Sequence, residues 1–241
     1  MTETLLLFTD NWLNTLSLIW FIVCFRGYMF YAGRKARTTP CLASVMHLYR
    51  KEWMTRILAR EVRIADTAAI ANLERTVAFF ASTTMLVLAG LMTLLSYTDR
   101  AITLVAHLPM VHPTSPLEWE VKLLILLTLF VYAFFKFTWS LRQYGFVSVM
   151  IGASPLPSSG LDERHREAHA ERMALMSSMA ANNFNMGLRT YYFSLAVLSW
   201  LINPWLFMAV STVVVYVLYQ REFTSPTLKT LMMSAQIDSG S

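Results

Sequence analysis

The sequence predicts an all-α membrane protein, with four transmembrane helices and two long amphipathic cytoplasmic helices. Three observations predict this. Residues 76–98 carry no charge, and a bilayer crossing takes about 20 mostly apolar residues because every backbone amide must be paired internally where water is absent. Hydrophobic residues make up 56% of the chain and charged ones 15%, against roughly a quarter charged in an ordinary soluble domain. Basic residues gather in alternate connections, the signature of cytoplasmic segments.

The first span covers 12–32. Glu3 and Asp10 stand before it, and Gly33-Arg34-Lys35-Ala36-Arg37 follows it. A signal peptide begins basic and ends at small residues, so this stretch reads as a retained span stopped at the cytoplasm. The second span is 76–98, the third 117–141 and the fourth 191–219. Asn203-Pro204 lies inside the fourth, and loss of an amide donor there predicts a kink. Residues 1–225 then form a single four-span membrane domain, followed by a polar tail at 226–241.

Orientation follows from the basic residues. Segment 26–75 holds ten lysines and arginines against four acids, whereas 97–121 holds Arg100 against Asp99, Glu118 and Glu120. The first segment is therefore expected inside and the second outside. Four spans place both termini outside and return 142–189 to the cytoplasm. The net charge of +5 is accounted for by this sidedness, and no nucleic-acid partner is expected. Cys24 and Cys41 have no spacing for a disulfide framework or a metal site.

Both cytoplasmic segments, 33–75 and 142–189, have helical periodicity. Between 42 and 73 the residues Val45, Met46, Tyr49, Trp53, Ile57, Ile64 and Ala68 recur at three- and four-residue steps. Arg56, Arg60 and Arg63 form a basic stripe, and Glu52 with Arg56 is a favourable i,i+4 pair. The stripe reads either as a contact for anionic lipid headgroups or as a solvated face. In the second segment, 155–160 is a loop signal. Ser159 is placed to cap a helix from about 161 to 185, and Asp162 to pair with Arg166. Met173, Met176, Ala180 and Phe184 make a narrow stripe expected to pack in a core.

Candidate chemistry is sparse. His165 and His169 lie one turn apart, but Arg166 stands where a zinc-protease pattern needs glutamate, so they read as helix surface. His107 and His112 receive no role. Nucleophile elbow, phosphate loop and dinucleotide fingerprint are lacking, so no enzymatic activity and no cofactor are expected. Arg26 and Lys136 are cations inside predicted spans, where charge is costly enough to require snorkelling or a partner. Glu74, beside Asn72 and Arg75, is the expected partner of Lys136, with Arg142 and Arg189 at similar depth. Ser82, Thr83 and Thr84 in span two read as helix packing or as a pore lining.

Three stretches carry a resemblance: IANLERTVAFFASTTMLVLAGLMTLL at 70–95, FFKFTWSLRQYGFVSVMIGASP at 134–155 and NNFNMGLRTYYFSLAVLSWLINPW at 182–205. Together they resemble the family catalogued as domain of unknown function 599, over nearly the full chain. The resemblance implies a multipass protein of the bacterial cytoplasmic (inner) membrane. Asn72, Glu74, Arg75, Lys136, Arg142, Gln143, Asn182, Asn185 and Arg189 fall at its motif positions.

The leading functional expectation is a homo-oligomeric channel or transporter with a basic cytoplasmic vestibule favouring anions. The alternative is a noncatalytic scaffold that binds anionic lipid or a protein partner through its cytoplasmic helices. Membrane lipids are partners in either case.

Overall fold

The computed structural model describes residues 12–106, 115–159 and 162–237. Helices α1 (Trp12–Lys35), α2 (Leu42–Leu58), α3 (Ile64–Ser96), α4 (Thr98–Ala106) and α5 (Pro116–Gly152) come first. A single 3-10 turn at Pro157–Ser159 follows, and then α6 (Glu163–Trp200), α7 (Pro204–Phe223) and α8 (Pro226–Ile237). Among the described residues no strand occurs. Four stretches are long and apolar enough to cross a membrane: Trp12–Lys35, Ile64–Ser96, Pro116–Gly152 and Pro204–Met233. The fold is thus the expected all-α membrane type. Glu3, Asp10, His107, His112 and the expected helix start at 161 lie outside the described residues, as does the capping side chain of Ser159.

The chain divides into two compact units. The first comprises Met1–Thr39, Val87–Val131 and Arg189–Thr224. Its core is aromatic: Phe21 meets Phe193 and Phe207 at ring-centroid distances of 5.8 and 5.1 Å, and Phe207 stacks on Trp200 at 4.8 Å. Residue numbers rise together along α1 and α7, from Phe21 with Phe207 to Lys35 Nζ donating to Tyr219 OH at 2.7 Å. These two helices are therefore parallel. The end of α6 is antiparallel to α7, because Trp200 meets Phe207 while Arg189 meets Glu222.

This hairpin corrects the fourth predicted span. Residues 191–219 are not one kinked helix; the chain leaves the helical path at 201–203 and reverses. Asn203 is the N-cap of α7, its side chain accepting from Trp205 N at 2.8 Å, and Pro204 takes the first turn, where its missing donor costs nothing.

The second unit comprises Pro40–Leu86, Tyr132–Leu188 and Ser225–Ser241. Helices α5 and α6 form an antiparallel pair here. Ser140 Oγ donates to Ala180 O at 2.7 Å, and Ser154 meets His169 at 3.0 Å. Helix α2 completes an aliphatic cluster of Met54, Ile57, Val147, Ile151, Met173 and Ala174. Met173 and Ala180 are fully buried, Met176 packs on the cluster and Phe184 packs on Phe137. The methionine stripe is therefore core, as its period predicts.

Three sequence expectations change in this unit. The segment 42–73 is not one helix: α2 stops at Leu58, with the Ala59 amide donating back to Arg56 O and the Arg60 amide to Ile57 O, and α3 starts at Ile64. No proline or glycine breaks 59–63; side-chain contacts do. Trp53 Nε1 and Arg60 Nη1 both donate to Asp66 Oδ1 at 2.8 Å, and Arg63 reaches carbonyls at and just beyond the C-terminal end of α5. Asp162 meets His165 at 4.0 Å rather than Arg166, which donates to Pro157 O at 3.2 Å. The expected tail contains α8, which docks on α2 through Tyr49 OH donating to Leu231 O at 2.9 Å.

Candidate functional site

The predicted polar cluster divides between the units. Arg26 and Arg189 belong to the first; Asn72, Glu74, Arg75, Lys136, Arg142, Gln143, Asn182 and Asn185 belong to the second. In the first unit Arg26 is exposed on α1. Arg189 is paired: its Nε and Nη2 both lie 2.7 Å from Glu222 Oε1, and its guanidinium stands 5.9 Å from the Tyr28 ring. The pair ties α6 to α7. Glu222 escaped the sequence reading because it lies beyond the predicted end of the span.

In the second unit a hydrogen-bond relay joins α5 to α6. Gln143, only 2% exposed, accepts from Asn183 Nδ2 at 2.8 Å, and Asn183 Oδ1 accepts from Lys136 Nζ at 3.2 Å. The register is set by packing. A side chain on Gly187 would overlap the ring of Phe137, so only glycine lets α6 approach α5 there. Lys136, Ser140 and Gln143 repeat at i, i+4, i+7 on α5, and Ala180, Asn183 and Gly187 at i, i+3, i+7 on α6. Asn183, which the sequence reading passed over, therefore sits in the contact, while Asn182 and Asn185 are exposed.

The expected Lys136–Glu74 partnership is replaced by Lys136–Asn183. Glu74 is half-buried on α3, with Oε1 buried and lacking a hydrogen bond, and Arg75 Nη1 donates to Asn72 Oδ1 at 3.3 Å. Lys136 uses one N–H on Asn183 and lies 5.5 Å from the Tyr132 ring. Among the described residues its other two N–H groups make no hydrogen bond. Beside it, α5 borders an open groove of about 680 Å³ lined by Tyr132, Phe135, Lys136, Trp139, Leu141 and Arg142. The lining contains two cations and no acid. Arg142 is exposed and stands over Phe146 at 5.6 Å.

The other candidates have local partners. Thr83 and Thr84 hydroxyls donate to carbonyls one turn back in α3, at 2.8 and 2.6 Å, and Thr84 is fully buried; Ser82 is exposed. Arg56 pairs with Glu52 on α2 as expected. Arg60 and Arg63 leave that stripe for the turn after α2. Arg63 donates to Ile151 O in the last turn of α5 at 3.3 Å, capping that helix, and to Ser154 O at 2.9 Å and Pro155 O at 2.6 Å just beyond it. Arg50 is half-buried near Tyr144, and burial lowers its pKa from the usual arginine value. Cys24 and Cys41 are free thiols. Among the described residues no group of three or more His, Cys, Asp or Glu is placed to hold a metal ion.

The sequence model of one family, described as protein of unknown function, DUF599, matches residues 16–227. No curated protein and no solved structure matches the chain.

Proposed function

The chain belongs to the DUF599 family, and from the α5 groove we propose that it is a noncatalytic scaffold of the bacterial cytoplasmic membrane that holds anionic phospholipid through Lys136 and Arg142. One observation carries this reading: an ammonium oriented by the Asn183–Gln143 relay beside a groove with aromatic walls, a second cation and no acid. Helix α5 is apolar and long enough to span, so lipid is the natural neighbour of exposed Phe135 and Trp139. Amphipathic rings and long cationic side chains concentrate at the headgroup level. A lysine or arginine there is worth about 1 kcal/mol toward an anionic surface.

The lipid site thereby moves from the arginine stripe to α5, since Arg60 and Arg63 serve the fold. Thr83 and Thr84 donate to carbonyls of their own helix, so helix packing accounts for these hydroxyls.

In the same reading the end of α6 adds a fifth, shorter crossing to the four long apolar stretches. Parallel α1 and α7 end on the same side, and the run Arg34-Lys35-Ala36-Arg37 marks that side as cytoplasmic. The α6–α7 hairpin supplies the extra crossing, leaving the N-terminal side external and α8 internal, unlike the expectation of two external termini. Thr230→Cys, on the exposed side of α8, is then protected from impermeant thiol reagents in intact cells. External labelling would overturn this sidedness.

The test of function is lipid retention. Protein released into nanodiscs of mixed phosphatidylglycerol and phosphatidylcholine is expected to enrich the anionic lipid. Lys136→Gln with Arg142→Gln should weaken that preference by about 30-fold if the two cations contribute equally and independently. Equal retention by wild type and the double variant would overturn the proposal. So would Lys136-dependent anion flux in proteoliposomes, which would favour transport.

A further inference from the structure

Lys122 lies in the apolar stretch of α5 within the first unit and is only 3% exposed. Its ammonium stands 5.5 Å from the Trp200 ring. Trp200 offers it only a face, because the indole N–H donates to Asn14 Oδ1 at 2.9 Å and the ring is stacked on Phe207. Among the described residues Lys122 makes no hydrogen bond or ion pair. One turn earlier on the same buried face, Trp119 is 4% exposed, and its Nε1 is buried without an acceptor. Two buried donors on adjacent turns thus share one deficiency.

A burden of this kind is not what a spanning helix keeps for packing. A buried donor without an acceptor forfeits its hydration without recompense, and an ionisable group inside a span marks a site by default. We propose that Lys122 and Trp119 together hold a small monovalent anion, halide or short carboxylate, with the Trp200 ring covering the ammonium. Both protein groups donate, so the missing partner is an acceptor with several lone pairs. The ammonium favours an anionic acceptor over a neutral one. Glu118, one turn before Lys122, supplies competing negative field and sets a limit on affinity. The site is independent of the lipid groove, which belongs to the second unit.

The experiment uses the full chain in nanodiscs. Thermal stability is followed while bromide or formate replaces gluconate at constant ionic strength. Wild type is expected to show a saturable rise in Tm with both small anions. Lys122→Met should abolish the anion-dependent shift, whatever it does to the starting Tm. Trp119→Phe should raise the half-saturating concentration several-fold, and Glu118→Gln should lower it. Lys122→Arg, which keeps the charge, should retain a shift and serves if the methionine variant does not fold. A linear, non-saturating response would overturn the proposal. So would a shift of equal size in Lys122→Met, or in Lys122→Arg with Trp119→Phe when the methionine variant fails to fold. Either result would assign the two donors to buried water.

Discussion

The two units dispose of their polar groups in opposite ways. In the first, buried hydroxyls turn back on their own helices: Ser194 donates to Thr190 O at 2.9 Å and Ser211 to Phe207 O at 2.7 Å, leaving helix contacts to phenylalanine rings. In the second, polar side chains cross from one segment to another. Asp66 gathers Trp53 and Arg60, Arg63 caps α5, and Gln143 orients Asn183 and Lys136. Where apolar rings supply the contact, a hydroxyl need only be silenced; where chain segments meet at loops and helix ends, polar side chains specify the joint. The first unit also has polar links between helices, Lys35–Tyr219, Trp20–Thr212, Trp200–Asn14 and the charged pair Arg189–Glu222, but its buried serines take no part in them.

This contrast can be broken at its strongest points first. Phe207→Ala removes a fully buried ring from the first unit's aromatic core, and its expected cost is about 3–5 kcal/mol. Unfolding curves in mixed micelles measure it. Loss of less than about 1 kcal/mol would show that the rings do not organise this unit.

Asp66→Ala strips the second unit's most connected carboxylate, 3% exposed with two donors at 2.8 Å. The expected cost is about 2–3 kcal/mol, since Arg60 can turn to solvent while Trp53 loses its acceptor. Ser211→Ala is the matched control, with an expected cost no greater than about 0.6 kcal/mol because its hydroxyl only supplements a helix carbonyl. Similar losses for the two variants would erase the distinction between units.

Gly187→Ala forces the Phe137 ring to give way, with an expected loss of about 1–2 kcal/mol. It should also disturb the lipid preference attributed to Lys136, because the same helix approach seats Asn183. Pairing it with Phe137→Leu, which makes room for the methyl, should recover part of both losses; no recovery would separate register from the relay.

The smallest effect is electrostatic. Lys51 and Glu171 meet at 2.8 Å on the exposed surface between α2 and α6. Their hydrogen bond lowers the carboxyl pKa and raises that of the ammonium. The depressed carboxylate contributes stability above its unfolded pKa and loses it as pH falls through the folded value. The raised ammonium contributes below its unfolded pKa and loses that contribution as pH rises through the folded value. The tether thus acts across the neutral range and fades at both ends. Glu171→Gln should flatten only this small pH dependence of Tm, and an unchanged profile would deny the tether any role.

Much of the fold was legible because bilayer crossing demands long uncharged helices. The expected spans 12–32 and 117–141 lie inside observed helices, while 76–98 extends just beyond the end of α3. The methionine stripe and Glu52–Arg56 obey helical period, a local property. Lys122 was legible in principle by the rule that singled out Arg26 and Lys136, as a cation inside a predicted span. Its place one residue past the acidic connection 97–121 hides it among the flanking charges. Asn183 carried a fainter signal, its place on the Ala180–Gly187 stripe.

Sequence alone determined the class and the all-helical membrane architecture, because these follow from hydropathy and backbone hydrogen bonding read locally. Tertiary structure decided where helices end and what each polar group meets. Residues 59–63 contain no intrinsic breaker, yet Asp66 and the carbonyls at the end of α5 draw Arg60 and Arg63 out of the helical path. Pro204 could have kinked one helix or begun another, and the packing of Trp200 on Phe207 accompanies the reversal. The physical reason is range: periodicity records what a residue does within its own turn, whereas an acceptor for an ammonium or a ring for a glycine comes from distant chain.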